Sequence, residues 1–118
     1  MDLQLAIVCD EARQMEHGKL NIKGIFNDLS APGFPAKHDM VLVIVIQWSH
    51  KDAGRYDFQV DLIGPGEKPS MTVRGHSDVA NRDLIRPPPR TQIILPLEEV
   101  IFPEKGVYNF HIRVKGRS

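Results

Sequence analysis

The sequence predicts an all-β fold: an antiparallel two-layer β-sandwich of seven to eight strands, with little or no helix. Three observations carry that expectation. Apolar residues recur at every second position through most of the chain, which is the strand period. Clusters of Gly, Pro, Asn and Asp interrupt the alternation at spacings typical of short strands joined by turns. No segment repeats its apolar residues at helical spacing alone; Leu84–Arg86 is too short and runs into proline. The length, 118 residues, suits a single domain spanning 1–118. Hydrophobic residues at 42% and charged residues at 25% are ordinary globular usage and argue against disorder.

The elements follow in chain order. Leu3, Leu5, Ile7 and Cys9 alternate with polar neighbours and open a first strand. Glu16-His17-Gly18-Lys19 is a turn, and Leu20 and Ile22 alternate with Asn21 and Lys23 on the return, completing a hairpin. At Gly24 the phase slips, since Ile25 and Phe26 cannot both continue it, and a bulge is expected there. Asn27–Asp39, with Pro32, Gly33 and Pro35, is a long loop. Met40–Trp48 is the strongest strand, with Met40, Leu42, Ile44, Ile46 and Trp48 on one face. Val41, Val43 and Val45 lie on its other face. Tyr56, Phe58, Val60 and Leu62 form the next strand, Gly64–Pro69 a turn, and Met71 and Val73 begin a strand running towards Val79. Asp78–Arg90 is a second long connection, carrying Pro87-Pro88-Pro89. Ile93, Leu95 and Leu97 follow; Pro96 among them points to an edge strand or a bulge, because proline has no N–H to donate. After the turn at Pro103–Gly106, Tyr108, Phe110, Ile112 and Val114 close the fold.

Two of these strands echo each other. Gly54-x-Tyr56-x-Phe58-x-Val60-x-Leu62-x-Gly64 recurs as Gly106-x-Tyr108-x-Phe110-x-Ile112-x-Val114-x-Gly116. A common packing problem explains this more simply than a duplication: glycine for the turn, aromatics at the strand entry, aliphatics after.

Charge and motifs exclude several classes of function. Lys+Arg and Asp+Glu each total 15, so no net charge draws in nucleic acid or an anionic membrane, and neither is an expected partner. The longest apolar run, Met40–Ile46, has seven residues, far short of the roughly 20 of a spanning helix. The N-terminal residues lack a basic region, so no signal peptide is expected. A single cysteine, Cys9, allows no intrachain disulfide, which favours a cytoplasmic location; in phase with Ile7, it reads as a small buried hydrophobe. Glycine-rich phosphate loops, nucleophile elbows and multi-cysteine zinc spacings are all missing, so no enzyme activity and no cofactor are expected. His50-x-Asp52 and His76-x-Asp78 have metal-ligand chemistry, and would support a hydrolase or metalloenzyme only if the two pairs met. The plainer reading is solvated loop polars, and no metal site is assigned.

Two features point to binding. Val41, Val43 and Val45 make the central strand apolar on both sides, which implies a cover. Either the loop 27–39, with Leu29 and Phe34 as plugs, supplies it, or another chain does. Separately, Arg82, Arg86 and Arg90, with Arg74, would offer guanidinium groups to phosphate or carboxylate. The plainer reading of that loop is a stiff crossover with solvated arginines.

The opening residues carry a resemblance. Ala6, Cys9-Asp10-x-Ala12 and Gly18-Lys19-Leu20-x-Ile22-x-Gly24-x-Phe26 resemble the start of a family of small uncharacterised bacterial domains of unknown function. The Pro-containing loop, long hydrophobic strand, Tyr-x-Phe strand and closing Gly-x-Tyr-x-Phe strand follow in the same order over nearly the whole chain. The resemblance implies a sandwich of immunoglobulin or C2 type in a cytoplasmic bacterial protein, and no reaction. The leading expectation is therefore a non-enzymatic binding or assembly module, acting in protein–protein interaction or as a homo-oligomer through a sheet face or edge strand. The alternative is a small-ligand or anion-binding sandwich using the loops 27–39 and 78–90.

Overall fold

The structure, a computed structural model, describes residues 1–116. Seven strands form: β1 (Asp2–Gln14), β2 (Leu20–Ile25), β3 (Ala36–Gln47), β4 (Gly54–Ile63), β5 (Pro69–Val79), β6 (Arg90–Phe102) and β7 (Asn109–Gly116). The only helical residues among those described are the 3₁₀ turn Glu16–Gly18. All pairings are antiparallel and make two sheets, one ordered β2-β1-β3-β6 and the other β5-β4-β7. The predicted all-β two-sheet sandwich is what forms, and no helix among the described residues is long and apolar enough to cross a membrane.

The core lies between the sheets and uses the alternation directly. Met40, Leu42, Ile44, Ile46 and Trp48 face Val60 and Leu62, with Phe58, Ile112 and Leu95 packed around them. At one end Trp48 stacks on Tyr56 with ring centroids 4.3 Å apart, and its indole N–H donates to Thr91 Oγ1 at 2.8 Å. That bond meets the polar demand of an otherwise buried indole.

Several elements differ locally from the expectation. β3 begins at Ala36, four residues earlier than the apolar run, because His38 and Lys37 pair with Val100 and Ile101 despite their polarity. β6 is an edge strand, as Pro96 requires, and it also bulges: the register with β3 shifts between His38 and Met40. There Glu99 adopts φ 51° and its N–H donates to Asp39 Oδ1 at 2.7 Å. The expected bulge at Gly24 is absent. Cys9↔Ile25 and Glu11↔Lys23 keep one register straight past it. Glycine is needed instead because φ is 71° and a Cβ would collide with the Asp10 carboxylate.

The echo between β4 and β7 has a structural meaning. The two strands are antiparallel neighbours, with Tyr56 opposite Gly116 and Val60 opposite Ile112. Each tyrosine ring lies over the terminal glycine of the other motif, Tyr56 on Gly116 and Tyr108 on Gly64. Each hydroxyl donates to the carbonyl four residues upstream, Tyr56 to Asp52 at 2.8 Å and Tyr108 to Glu104 at 2.7 Å. A local two-fold relation thus repeats one packing solution at both ends of the sheet.

The second apolar face of β3 is covered from within the chain, by an element other than the loop expected. The β1–β2 hairpin folds back over the outer face of the four-stranded sheet. Gln14 Nε2 donates to Gln92 Oε1 at 3.1 Å, and Gln92 Nε2 donates to the Gly18 carbonyl at 2.7 Å. Gln92 is opposite Val45 on β6, so the hairpin tip has crossed β3. Ala12, Leu20 and Ile22 share the hairpin face that carries Gln14 and are half-buried, while Arg13 and Lys23 stay exposed. Beneath lie Val43 and Val45, 0% and 5% exposed. Leu29 and Phe34, expected as plugs, are exposed instead.

Candidate functional site: the polar face of the three-stranded sheet

The strand period that fills the core leaves the other face of β5-β4-β7 with a grid of polar side chains. Register places His76 and Lys115 on either side of Asp57, Arg74 and Arg113 on either side of Gln59, and Thr72 and His111 on either side of Asp61. Asp57, Gln59, Arg74, His76, Arg113 and Lys115 line an open concavity.

Asp61 anchors this face. It is 2% exposed, and no other buried polar or charged side chain is found among the described residues. Burying a carboxylate is costly unless donors surround it, and three side chains do so here. Thr72 Oγ1 donates at 2.6 Å, Arg113 Nη2 at 2.6 Å, and Gln59 Nε2 at 3.0 Å. The Thr72 hydroxyl, then Arg113 and Gln59, stabilise the charged form and outweigh desolvation, so the Asp61 pKa falls to about 2. No buried side-chain polar atom is left without a partner among the described residues.

The network orients its outer members. With its amide spent on Asp61, Gln59 turns Oε1 towards Arg74 and accepts from Nε at 3.1 Å. Arg113 is held at Nη2 while its side chain remains largely exposed. Both guanidinium groups are therefore fixed through one nitrogen, leaving the rest of each fork to the solvent. A fixed fork suits a carboxylate or phosphate, since little conformational freedom remains to be lost on binding.

The residues singled out from sequence fall elsewhere. Val43 and Val45 are buried by the hairpin and Val41 is half-buried, so this stripe is not an open surface for another chain. Arg82, Arg86 and Arg90 are exposed, and two of them are tied to separate groups: Arg82 Nη1 donates to the Pro87 carbonyl at 3.4 Å and Arg90 Nη2 to Gln47 Oε1 at 3.5 Å. The Arg86 carbonyl accepts from His50 Nε2 at 2.8 Å. Arg74 stands apart from them on β5. The two long loops cannot form one site. Residues 26–35 precede the start of β3, whereas 80–89 precede the start of β6, which pairs with the end of β3.

The two His-x-Asp pairs do not meet. The Ser49 N–H donates to Asp52 at 2.8 Å, Asp78 pairs with Arg55 at 2.8 Å, and His76 lies opposite Asp57. Among the described residues no three His, Cys, Asp or Glu side chains converge as a metal would need. Cys9 is buried, and desolvation raises its thiol pKa.

Sequence reasoning passed over Asp61, which looked like one more outward polar residue in an alternating strand. A signal was present. Asp61 and Arg113 occupy equivalent positions in the echoed motif, and antiparallel pairing of the two copies brings equivalent positions near the two-fold axis into diagonal contact.

Comparison with protein families matches residues 4–118 to DUF6941, a family of unknown function. The chain belongs to that family. Membership covers nearly every residue described above, agrees with the resemblance in the opening hairpin, and carries no activity with it. Comparisons with curated proteins and with solved structures gave no match.

Proposed function

We propose that this DUF6941 protein is a non-enzymatic binding module of the cytoplasm whose working surface is the outer face of β5-β4-β7. Its partner is a protein segment rich in carboxylates. One observation carries the reading: a buried Asp61 spends its charge holding Arg113 directly and Arg74 through Gln59. Arg74, Arg113 and Lys115 then face the solvent against Asp57, while the compensating Asp61 charge is sequestered. Arg74, Arg113 and Lys115 against Asp57 and Asp61 leave this face one positive charge in excess, displayed on a rigid sheet. Fixed arginines on such a surface favour specificity and encounter rate.

The test is titration of the ¹⁵N-labelled protein with a hexaglutamate peptide. Amide shifts confined to β4, β5 and β7 that weaken with added salt, and that vanish in the variant Arg74→Gln/Arg113→Gln, are expected. Shifts centred on other elements, or a response unchanged in the variant, would refute the assignment.

A further inference from the structure

The two ends of the sandwich carry opposite shapes. At one end, the loop 80–89 contains a tight turn closed by the Arg86 N–H donating to the Asp83 carbonyl at 3.1 Å. Leu84 and Ile85 occupy its two corner positions and are 84% and 96% exposed. The loop is braced. Pro87, Pro88 and Pro89 have restricted backbones, buried Pro89 accepts from the Trp48 N–H at 2.8 Å, and His50 holds the Arg86 carbonyl. Two large aliphatic side chains are therefore held rigidly in water with no packing role inside the chain.

At the other end, the β2–β3 and β6–β7 connections enclose a concavity of about 350 Å³. Leu29, Phe34, Phe102, Val107 and Tyr108 supply its apolar lining, and Leu29, Phe34 and Val107 are exposed there. Asp28 and Glu104 stand on its rim beside Lys37 and Lys105, and none of the four forms an ion pair among the described residues. The turn carries Arg82 and Arg86 around Asp83, none of them in an ion pair among the described residues although Arg82 donates to the Pro87 carbonyl, so each side offers charges of both signs.

We infer that the protein associates with itself head to tail, the Leu84–Ile85 turn of one copy seating in the concavity of the next. The concavity has room for two aliphatic side chains, and Arg82 and Arg86 would meet Asp28 and Glu104 at its rim. Turn and concavity lie at opposite ends of β3 and β6, so neither can satisfy the other within one chain, and the contact repeats from copy to copy. Such a contact is heterologous and propagates instead of closing as a two-fold dimer does. A lipid surface would take the turn and leave the concavity unused, and the neutral chain offers such a surface no bulk attraction. A junction centred on two side chains buries far less than the roughly 1,200 Å² of a stable complex, so the association is weak. It does not involve the Arg74–Arg113 face, and the two readings fail separately.

Sedimentation velocity of the full chain from micromolar to millimolar concentration tests this. The weight-average sedimentation coefficient should rise steadily with concentration. The turn variant Leu84→Asp/Ile85→Asp and the concavity variant Val107→Asp change exposed residues, and each alone should associate at least tenfold more weakly. Mixed in equal amounts they retain one intact junction, and should form a heterodimer that grows no further. Wild-type protein that stays monomeric throughout, variants that associate like wild type, or a mixture that stays monomeric would each overturn the inference. Co-sedimentation of monomeric wild type with phosphatidylserine vesicles, lost in the turn variant, would overturn it in favour of a membrane.

Discussion

Replacing Val43 with threonine tests whether the hairpin is a true structural cover. The two side chains have nearly the same shape, so packing is kept and only a methyl becomes a hydroxyl. Val43 is fully buried, between Ile7 on β1 and Ile94 on β6 and beneath the folded-back hairpin. A hydroxyl buried there without a partner costs about 1–3 kcal/mol in proteins. Total stability for a domain of this size is about 6–18 kcal/mol at 0.05–0.15 kcal/mol per residue, so the loss is readily measured. Urea unfolding, followed through the emission of Trp48, the chain's single tryptophan, is the assay. With an m-value of about 1–3 kcal/mol/M, the midpoint should fall by roughly 1 M at unchanged slope. The control Val107→Thr, at a position 76% exposed, should leave the midpoint in place. An unmoved midpoint for Val43→Thr, accompanied by a change in oligomeric state, would refute the intrachain cover and return the valine stripe to an interface.

Other expectations follow from the same geometry. Asp61 titrates at about 2 in the folded chain against about 3.9 when unfolded, so its contribution is complete above the higher value and disappears as the pH falls towards the lower one. Stability measured from pH 5 down to 2 should therefore drop, and Asp61→Asn should flatten part of that drop; an identical pH profile in the variant would exclude the network as its source. Burial and a raised pKa should keep Cys9 from reacting with an aromatic disulfide reagent until the chain unfolds, and rapid labelling of native protein would show the hairpin standing open. Gly75→Ala drives a methyl into the Phe58 ring on the neighbouring strand, for which a loss of about 1–3 kcal/mol is expected in thermal or urea unfolding, and a neutral result would mean the ring can move aside at little cost.

Val43 and Asp61 illustrate two ways in which a sequence can be misread. Both obey the alternation of their strands, and both face away from the inter-sheet core. Alternation states which residues share a face; it does not state what lies above that face. Val43 called for a cover from the loop 27–39 or from another chain, because the hairpin's return cannot be read from residues near β3. Asp61 looked solvated because its three donors come from β4, β5 and β7, and only the register of three strands brings them together. The arginines of the 78–90 loop are close in the chain, yet Arg82 and Arg90 donate to separate groups, the Pro87 carbonyl and the Gln47 side chain.

The sequence by itself determined the strand class, the core-facing residues from Met40 to Trp48, and the edge or bulge to which Pro96 points. These are consequences of side-chain period and backbone chemistry, which act over a few residues. The tertiary structure alone decided the hairpin's cover over the valines, the burial of Asp61 beneath its donors, and the placement of an exposed aliphatic turn and an apolar concavity at opposite ends. Each of these depends on strand order and on the path of connections between distant segments, which closely similar local patterns leave open.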